Sequence, residues 1–288
     1  MLNSSFTNGF VINTNMASLM VQRNLANVTN DMAAYMEHLS TNYKVNRASD
    51  DPAGLALSIN YERQINSLGV AKSNSQTGIS LLQTAENDLT TIKDNLSTMQ
   101  DLIIQAQTGT TTDPERAAMN SIFQQLLSEI QRISSTSEYS GIQLMDGTRS
   151  GAGSVVLQID INNNANHKLD ISSALANSQT AALGINGTAV DTIAHAAAAQ
   201  SLIDTAYDTI NQRTSLVGAF ITRLNTNVQR IESKSENLQA ANSLIRDTDV
   251  AAETAKLTRA QILQQTSVAL LQQANQSSAL IFTLIGAT

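Results

Sequence analysis

The chain has 288 residues, of which 42% are hydrophobic and only 3% aromatic, with no Trp and no Cys. Disulfides, thiolate metal sites and cysteine nucleophiles are therefore excluded. The net charge of −7, with no Lys/Arg cluster interleaved with aromatics, argues against a nucleic-acid groove. A core must be built from Leu, Ile, Val, Met and Ala, which suits long helix–helix seams better than a pocket lined by rings.

Met1 to Phe10 is polar and lacks a basic start and an apolar stretch, so it does not read as a cleaved secretory signal. The first predicted helix runs from about Thr14 to Tyr43, with Leu25, Val28, Met32, Met36 and Leu39 as its stripe. Next comes Asn46-Arg47-Ala48-Ser49-Asp50-Asp51-Pro52. Asp51 reads as an N-cap and Pro52 as the first helical residue, where its missing N–H costs nothing. Leu55, Ile59, Ile65 and Leu68 lead onward, and Gly69 permits a bend.

From Lys72 to Gln105, Ile79, Leu82, Ala85, Leu89, Ile92, Leu96, Met99 and Ile103 recur three or four residues apart. Such a helix is about 50 Å long at ~1.5 Å per residue and needs partners of similar length. Gly109 to Thr112 is a break, and Asp113-Pro114 repeats the cap-plus-proline device. Met119, Ile122, Leu126, Ile130 and Ile133 give a third stripe, antiparallel to the second because the connection is short.

Between Glu138 and Gly187 the period changes. Val155, Leu157, Ile159 and Ile161, then Leu169 and Ile171, alternate around an Asn-rich turn, which is a β-hairpin signal. From Ile193 the helical period returns. Ile203, Ile210, Val217, Leu224, Ile231, Leu238 and Ile245 fall at heptad spacing, the long partner the central helix requires. Asp247 to Asp249 is a local interruption with capping chemistry. A last amphipathic segment carries Leu257, Ala260, Leu263, Leu271 and Ala274, and the apolar run Ser278 to Ile285 is too short to span a bilayer.

The first and last segments are amphipathic without a local partner, so they pair with each other. The predicted fold is mainly α: long antiparallel helices in a nested helical bundle or coiled coil, with a small β-hairpin region in the middle. Residues 1–50 and 248–288 form a discontinuous terminal helical pair. Residues 51–247 form a helical rod domain with its hairpin region at about 138–187. A lone helix pair leaves an apolar flank that wants further copies of itself.

Adjacent Asp50 and Asp51 carry no acid–base assignment, because Pro52 directly after them is what a cap predicts. His38, His167 and His195 are scattered, with no His-Glu-x-x-His. No metal, cofactor or catalytic residue is assigned, and the chain does not read as an enzyme.

Val11-Ile12-Asn13-Thr14-Asn15, Gln22-Arg23-Asn24-Leu25, Leu39-Ser40-Thr41 and Asn46 through Ala56 resemble the N-terminal signature of bacterial flagellin. Arg259-Ala260-Gln261-Ile262-Leu263-Gln264-Gln265 with Gln273-Ala274-Asn275-Gln276 resembles its C-terminal signature, and Gly141 to Met145 a loop of that family. The resemblance covers about the first 150 and last 100 residues, and the short insert makes this a near-minimal member. Where the family has Gly after Leu-Ser-Thr, Asn42 stands here, a residue that also reaches the left-handed region.

What the resemblance implies is an extracellular filament subunit for motility, with terminal helices as inner coiled coil. It implies type III export without a cleaved signal, a chaperone on the C-terminal helix, and filament cap and hook-junction proteins as further partners. Candidate subunit-contact residues are Gln22, Arg23, Asn24, Asn46, Arg47, Asp50, Asp51, Arg259 and Gln261. Alternatives are a hook–filament junction protein, or a surface flagellin homologue binding polysaccharide, although residues 150–187 contain no Trp, Tyr or Phe. The family pattern Leu-Gln-Arg-Val-Arg-Glu-Leu, contacted by the vertebrate innate flagellin receptor of the Toll-like class, corresponds to Leu96 through Leu102. Thr98 and Gln100 replace its arginines, Asp101 keeps the acid, and Ile122 stands where a facing Glu is usual. Weak or absent receptor activation is the expectation.

Overall fold

The computed structural model describes residues 14–149 and 154–285. The signature residues Val11, Ile12 and Asn13, the polar start and the last three residues lie outside that range. Five helices dominate: α1 (Met16–Thr41), α2 (Pro52–Gln107), α3 (Asp113–Thr136), α4 (Ile193–Arg246) and α5 (Val250–Ile285). Two small antiparallel sheets lie between α3 and α4: β1 (Glu138–Tyr139) with β2 (Ile142–Gln143), and β3 (Val156–Gln158) with β4 (Lys168–Asp170). The described residues divide into two compact units. One is Arg63–Leu238; the other takes the described residues up to Glu62 together with those from Gln239 onward.

In the Arg63–Leu238 unit, α2 and α4 run antiparallel. Gln107 Nε2 donates to Gln200 Oε1 at 2.9 Å, Gln100 Nε2 to Asp204 Oδ1 at 2.7 Å, and Asn227 Nδ2 to Ser75 Oγ at 3.2 Å. Between these polar ties the seam is dry. Leu82, Leu89, Ile92, Leu96, Met99 and Ile103 of α2 are fully buried, as are Ile210, Val217 and Leu224 of α4. Each such aliphatic stabilises by about 1.5–3 kcal/mol before ordering costs. The helix α3 is antiparallel to α2 as well, with Arg116 Nη1 donating to Ala106 O at 3.2 Å and Ser137 Oγ to Asp88 Oδ2 at 2.5 Å.

Gly78 sits mid-helix because β3 lies on it. A Cβ there would come within 2.3 Å of Leu157 Cδ1 and 3.3 Å of Leu224 Cδ1. Leu157 faces Leu169 in the ladder. The connection between these strands is pinned by Asp160, only 4% exposed. Its Oδ2 accepts from Arg230 Nη2 at 3.1 Å and lies 3.1 Å from His167 Nδ1, while Lys234 Nζ stands 3.8 Å from Oδ1. Burial works to raise the Asp160 pKa. The Ile161 N–H, Arg230 and Lys234 outweigh it and hold the carboxyl below its usual value.

The helix α2 runs unbroken through Gly69, from Pro52 to Gln107. Three local expectations are corrected. The cap of α3 is Thr112 rather than Asp113: Glu115 Oε2 accepts from the Thr112 N–H at 2.7 Å and from its hydroxyl at 2.9 Å. The α3 stripe is displaced by one residue in its first half, so Phe123 and Leu127 are buried while Ile122 is 48% exposed. On α2, Ile59 is exposed as well. The β1–β2 hairpin adds a turn that composition only hinted at, with positive φ at both Ser140 and Gly141, the pair of left-handed residues a tight two-residue turn demands.

Candidate assembly interface

The unit built from both ends of the chain is an antiparallel helix pair with two connections at one end. Asn15 caps α1, its Oδ1 accepting from Ser18 N at 3.0 Å, while its Nδ2 donates to Ala274 O of α5 at 3.0 Å. Ser18 Oγ, buried, donates to Asn275 Oδ1 at 3.1 Å. Towards the opposite ends, His38 Nδ1 lies 2.7 Å from Glu253 Oε1, and Lys256 Nζ lies 3.0 Å from Glu253 Oε2. Burial works to raise the Glu253 pKa. The hydrogen bonds from His38 and Lys256 outweigh it, and the carboxyl stays below its usual value. Two polar ties, near the two ends of α1, set the register of the pair.

The connection from α1 to α2 gathers four of the predicted contact residues. Asn42 closes α1 in the left-handed region, at φ 59° and ψ 14°. Asp50 Oδ2 accepts from the N–H of Arg47 at 2.9 Å and of Asn46 at 3.0 Å, and these two bonds, in that order, lower its pKa. Asp51 Oδ1 caps α2, accepting from Gly54 N at 2.9 Å and Ala53 N at 3.1 Å. Asn46 Nδ2 donates to Thr41 Oγ1 at 2.8 Å. The Arg47 fork pairs with Glu37, Nε to Oε1 at 3.0 Å and Nη2 to Oε2 at 2.9 Å. Within one subunit, then, these polar groups build the loop itself. Gln22, Arg23 and Asn24 lie further back on α1 and Arg259 and Gln261 on α5, all exposed, and the structure does not bring them to that loop.

This loop is zipped to the α4–α5 connection. Lys44 N donates to Arg246 O at 2.7 Å and Thr248 N to Asn42 O at 3.0 Å, bridging Tyr43 to Asp247. Arg246 also pairs with Glu62. Asp249 then caps α5, accepting from Ala251 N at 3.0 Å and Ala252 N at 3.1 Å. Sequence reasoning missed His38, Tyr43, Arg246 and Glu253. For Glu253 a signal existed: with Leu257 and Ala260 it falls on the apolar spacing of α5, so an acid stood where the stripe called for an aliphatic.

This unit leaves large apolar side chains exposed among its polar ones. Met20 is 55% and Ile262 58% exposed, and Leu19, Leu263, Val268 and Leu270 are exposed beside them. Two helices alone cover only one flank of each other. The mainly helical fold and this uncovered unit define an assembly-forming structural protein.

Comparison with known proteins agrees. Residues 12–150 match the bacterial flagellin N-terminal helical region and residues 200–285 the bacterial flagellin C-terminal helical region. The chain is 37% identical over 275 residues to a flagellin of Halalkalibacterium halodurans, spanning 96% of this chain and 99% of that one. It is 33% identical over 286 residues to the flagellar filament 30.7 kDa core protein of Treponema maltophilum, with 96% and 99% covered. A putative flagellar hook-associated protein from Vibrio parahaemolyticus shares the fold alone, at TM-score 0.55 and 16% identity over 68% of this chain and 99% of that one. The chain belongs to the bacterial flagellin family. It is a structural subunit of the flagellar filament, an extracellular appendage. Among the described residues no helix is long and apolar enough to cross a membrane.

Proposed function

We propose that the subunit polymerises through the α1–α5 unit, with residues 1–50 and 248–288 as the assembling element and 51–247 as the domain it carries. The observation behind this reading is the set of exposed apolar side chains, Leu19, Met20, Ile262, Leu263, Val268 and Leu270, on a helix pair that is tied together within the subunit. Gln22, Arg23, Asn24, Arg259 and Gln261, exposed on the same pair, are its candidate contacts between copies. Asn46, Arg47, Asp50 and Asp51 act by holding the connecting loop, with the Arg47 fork free to exchange Glu37 for a neighbour's carboxylate. No catalytic role is assigned to any of them.

Further partners follow from family membership: an export chaperone on the C-terminal helix, filament cap and hook-junction proteins, and the flagellar type III export apparatus. Weak activation of the innate flagellin receptor follows from Thr98, Gln100, Asp101 and Ile122. The test of the main reading is salt-induced assembly viewed by electron microscopy. Full chain should give long helical filaments, and a chain trimmed to residues 51–245 should stay helical and monomeric. Long filaments from the trimmed chain would sink the reading. Rings or short caps from the full chain would favour a hook–filament junction role.

A further inference from the structure

We propose that Asn186 is a site of self-modification, losing its side-chain amide to attack by the main-chain nitrogen of Gly187 in the folded protein. Asn186 and Gly187 form an exposed turn, with Gly187 at φ +76°. Among the described residues neither the Asn186 side chain nor the Gly187 N–H has a hydrogen-bond partner. Nothing lies within 4 Å of the place where a Gly187 Cβ would be. Nucleophile and electrophile are adjacent, unshielded and unclamped. Attack of the Gly187 nitrogen on Asn186 Cγ forms one C–N bond, and the bond from Cγ to Nδ2 breaks. Ammonia leaves with the Gly187 amide proton, and water opens the cyclic imide at either carbonyl to give aspartate or isoaspartate. No oxidant or reductant is needed.

Related dipeptides elsewhere among the described residues are held. Asp146-Gly147 has the same positive φ at glycine, but Asp146 Oδ1 accepts from Thr148 N at 2.9 Å and Thr148 Oγ1 at 2.7 Å. At Asn177-Ser178, Ser178 N is engaged with Met145 O at 2.9 Å and Asn177 Oδ1 with Gln179 N at 3.0 Å. Asn66-Ser67, Asn74-Ser75, Asn120-Ser121 and Asn242-Ser243 lie inside helices, whose ladders occupy the attacking N–H.

The modification has a structural consequence. Ile185 and Val190 are buried on either side of the turn, Thr188 O accepts from Gln124 Nε2 at 2.7 Å, and Val190 N donates to Asn120 Oδ1 at 3.0 Å. Isoaspartate inserts a methylene into the main chain between these anchors. Either product places a carboxylate in a recess of about 270 Å³ that His195 also lines, beside the His195–Asp191 contact of 2.6 Å.

The experiment is peptide mapping with isoaspartate detection on full chain aged at mildly alkaline pH, folded and in urea. In the folded sample the Asn186 peptide should convert at close to its urea rate, at least about tenfold faster than the helical Asn-Ser peptides. The Asn8-Gly9 peptide, outside the described residues, is resolved separately. Asn186→Gln should abolish the acidic species from this peptide without altering helicity. Conversion in urea with an intact Asn186 in the folded chain, or no conversion in either, overturns the proposal.

Discussion

The guanidinium carbon of Arg246 lies 4.2 Å from the centroid of the Tyr43 ring. Arg246 ends α4, and Tyr43 stands just past the left-handed Asn42 that ends α1. The two connections of the terminal unit therefore meet through one cation and one ring, with two main-chain hydrogen bonds around them. A stacked cation contributes ~0.5–2 kcal/mol and a half-exposed ion pair with Glu62 about 0–1 kcal/mol. Arg246→Ala should weaken the clasp by about 0.5–3 kcal/mol, or roughly 2- to 150-fold in opening equilibrium. Amide exchange at Lys44 and Thr248 should speed accordingly. Unchanged exchange there would show that the main-chain bridge stands without the stack.

Glu253 makes the pairing of α1 with α5 acid-sensitive. Its folded pKa lies below the ordinary 4.5 because His38 and Lys256 outweigh the effect of burial. A lowered carboxylate pKa contributes stability that is present above about 4.5 and lost as pH falls through the folded value. The helix pair should lose stability in that acid window. Replacing Glu253 by Gln should cost about 1–3 kcal/mol near neutrality and flatten the acid limb. Urea titrations of both proteins across that range check this; parallel acid limbs would rule Glu253 out as the titrating group.

Gly78 and Leu157 test how tightly the β3–β4 hairpin holds α2. An alanine inside a helix is favoured over glycine by ~1 kcal/mol. Here the added methyl meets Leu157, and overpacking of a filled seam costs about 1–3 kcal/mol. Gly78→Ala should destabilise, and Leu157→Ala added to it should cost less than the two changes summed. A stabilised Gly78→Ala protein would mean that the hairpin moves aside freely.

Much of this fold was legible because long seams repeat. The heptad run from Ile203 to Leu224 and the α2 run from Leu82 to Ile103 predict their burial residue by residue. Asp51-Pro52 announced the start of α2 through local chemistry alone. The α3 misphasing arose because Ile122-Phe123 and Leu126-Leu127 are apolar pairs, and only the neighbours of α3 decide which member turns inward. The terminal unit was harder to read. Its contacts between Asn15 and Ala274, or His38 and Glu253, join residues more than two hundred positions apart, and no local period reports them. The roles of Asp50 and Arg47 in closing their own loop were hidden for the opposite reason: a signature motif shows which residues recur together, not whether they face inward or towards another copy.

The proposed receptor-contact positions give the last prediction. Thr98 is exposed, its hydroxyl turned back to Asp94 O at 3.0 Å. Gln100 is engaged with Asp204 across the α2–α4 seam. Ile122, nearly half exposed, offers a methyl surface where the family pattern has a carboxylate. Neither Thr nor Gln copies the planar fork of donors that Arg presents. Loss of one partner of a buried interfacial charge pair costs about 2–5 kcal/mol, roughly 30- to several-thousand-fold in affinity. The wild-type monomer should therefore be a poor agonist in a receptor-reporter dose curve, while still assembling. The triple variant Thr98→Arg, Gln100→Arg, Ile122→Glu should gain potency. At position 100 the gain has a structural limit, because Asp204 is already within reach and would compete for the new cation. Asp204→Asn in the triple background should then raise potency further. Wild-type potency equal to that of a strongly detected flagellin would refute the prediction at its first step, and a triple variant with no gain would refute the assignment of these positions.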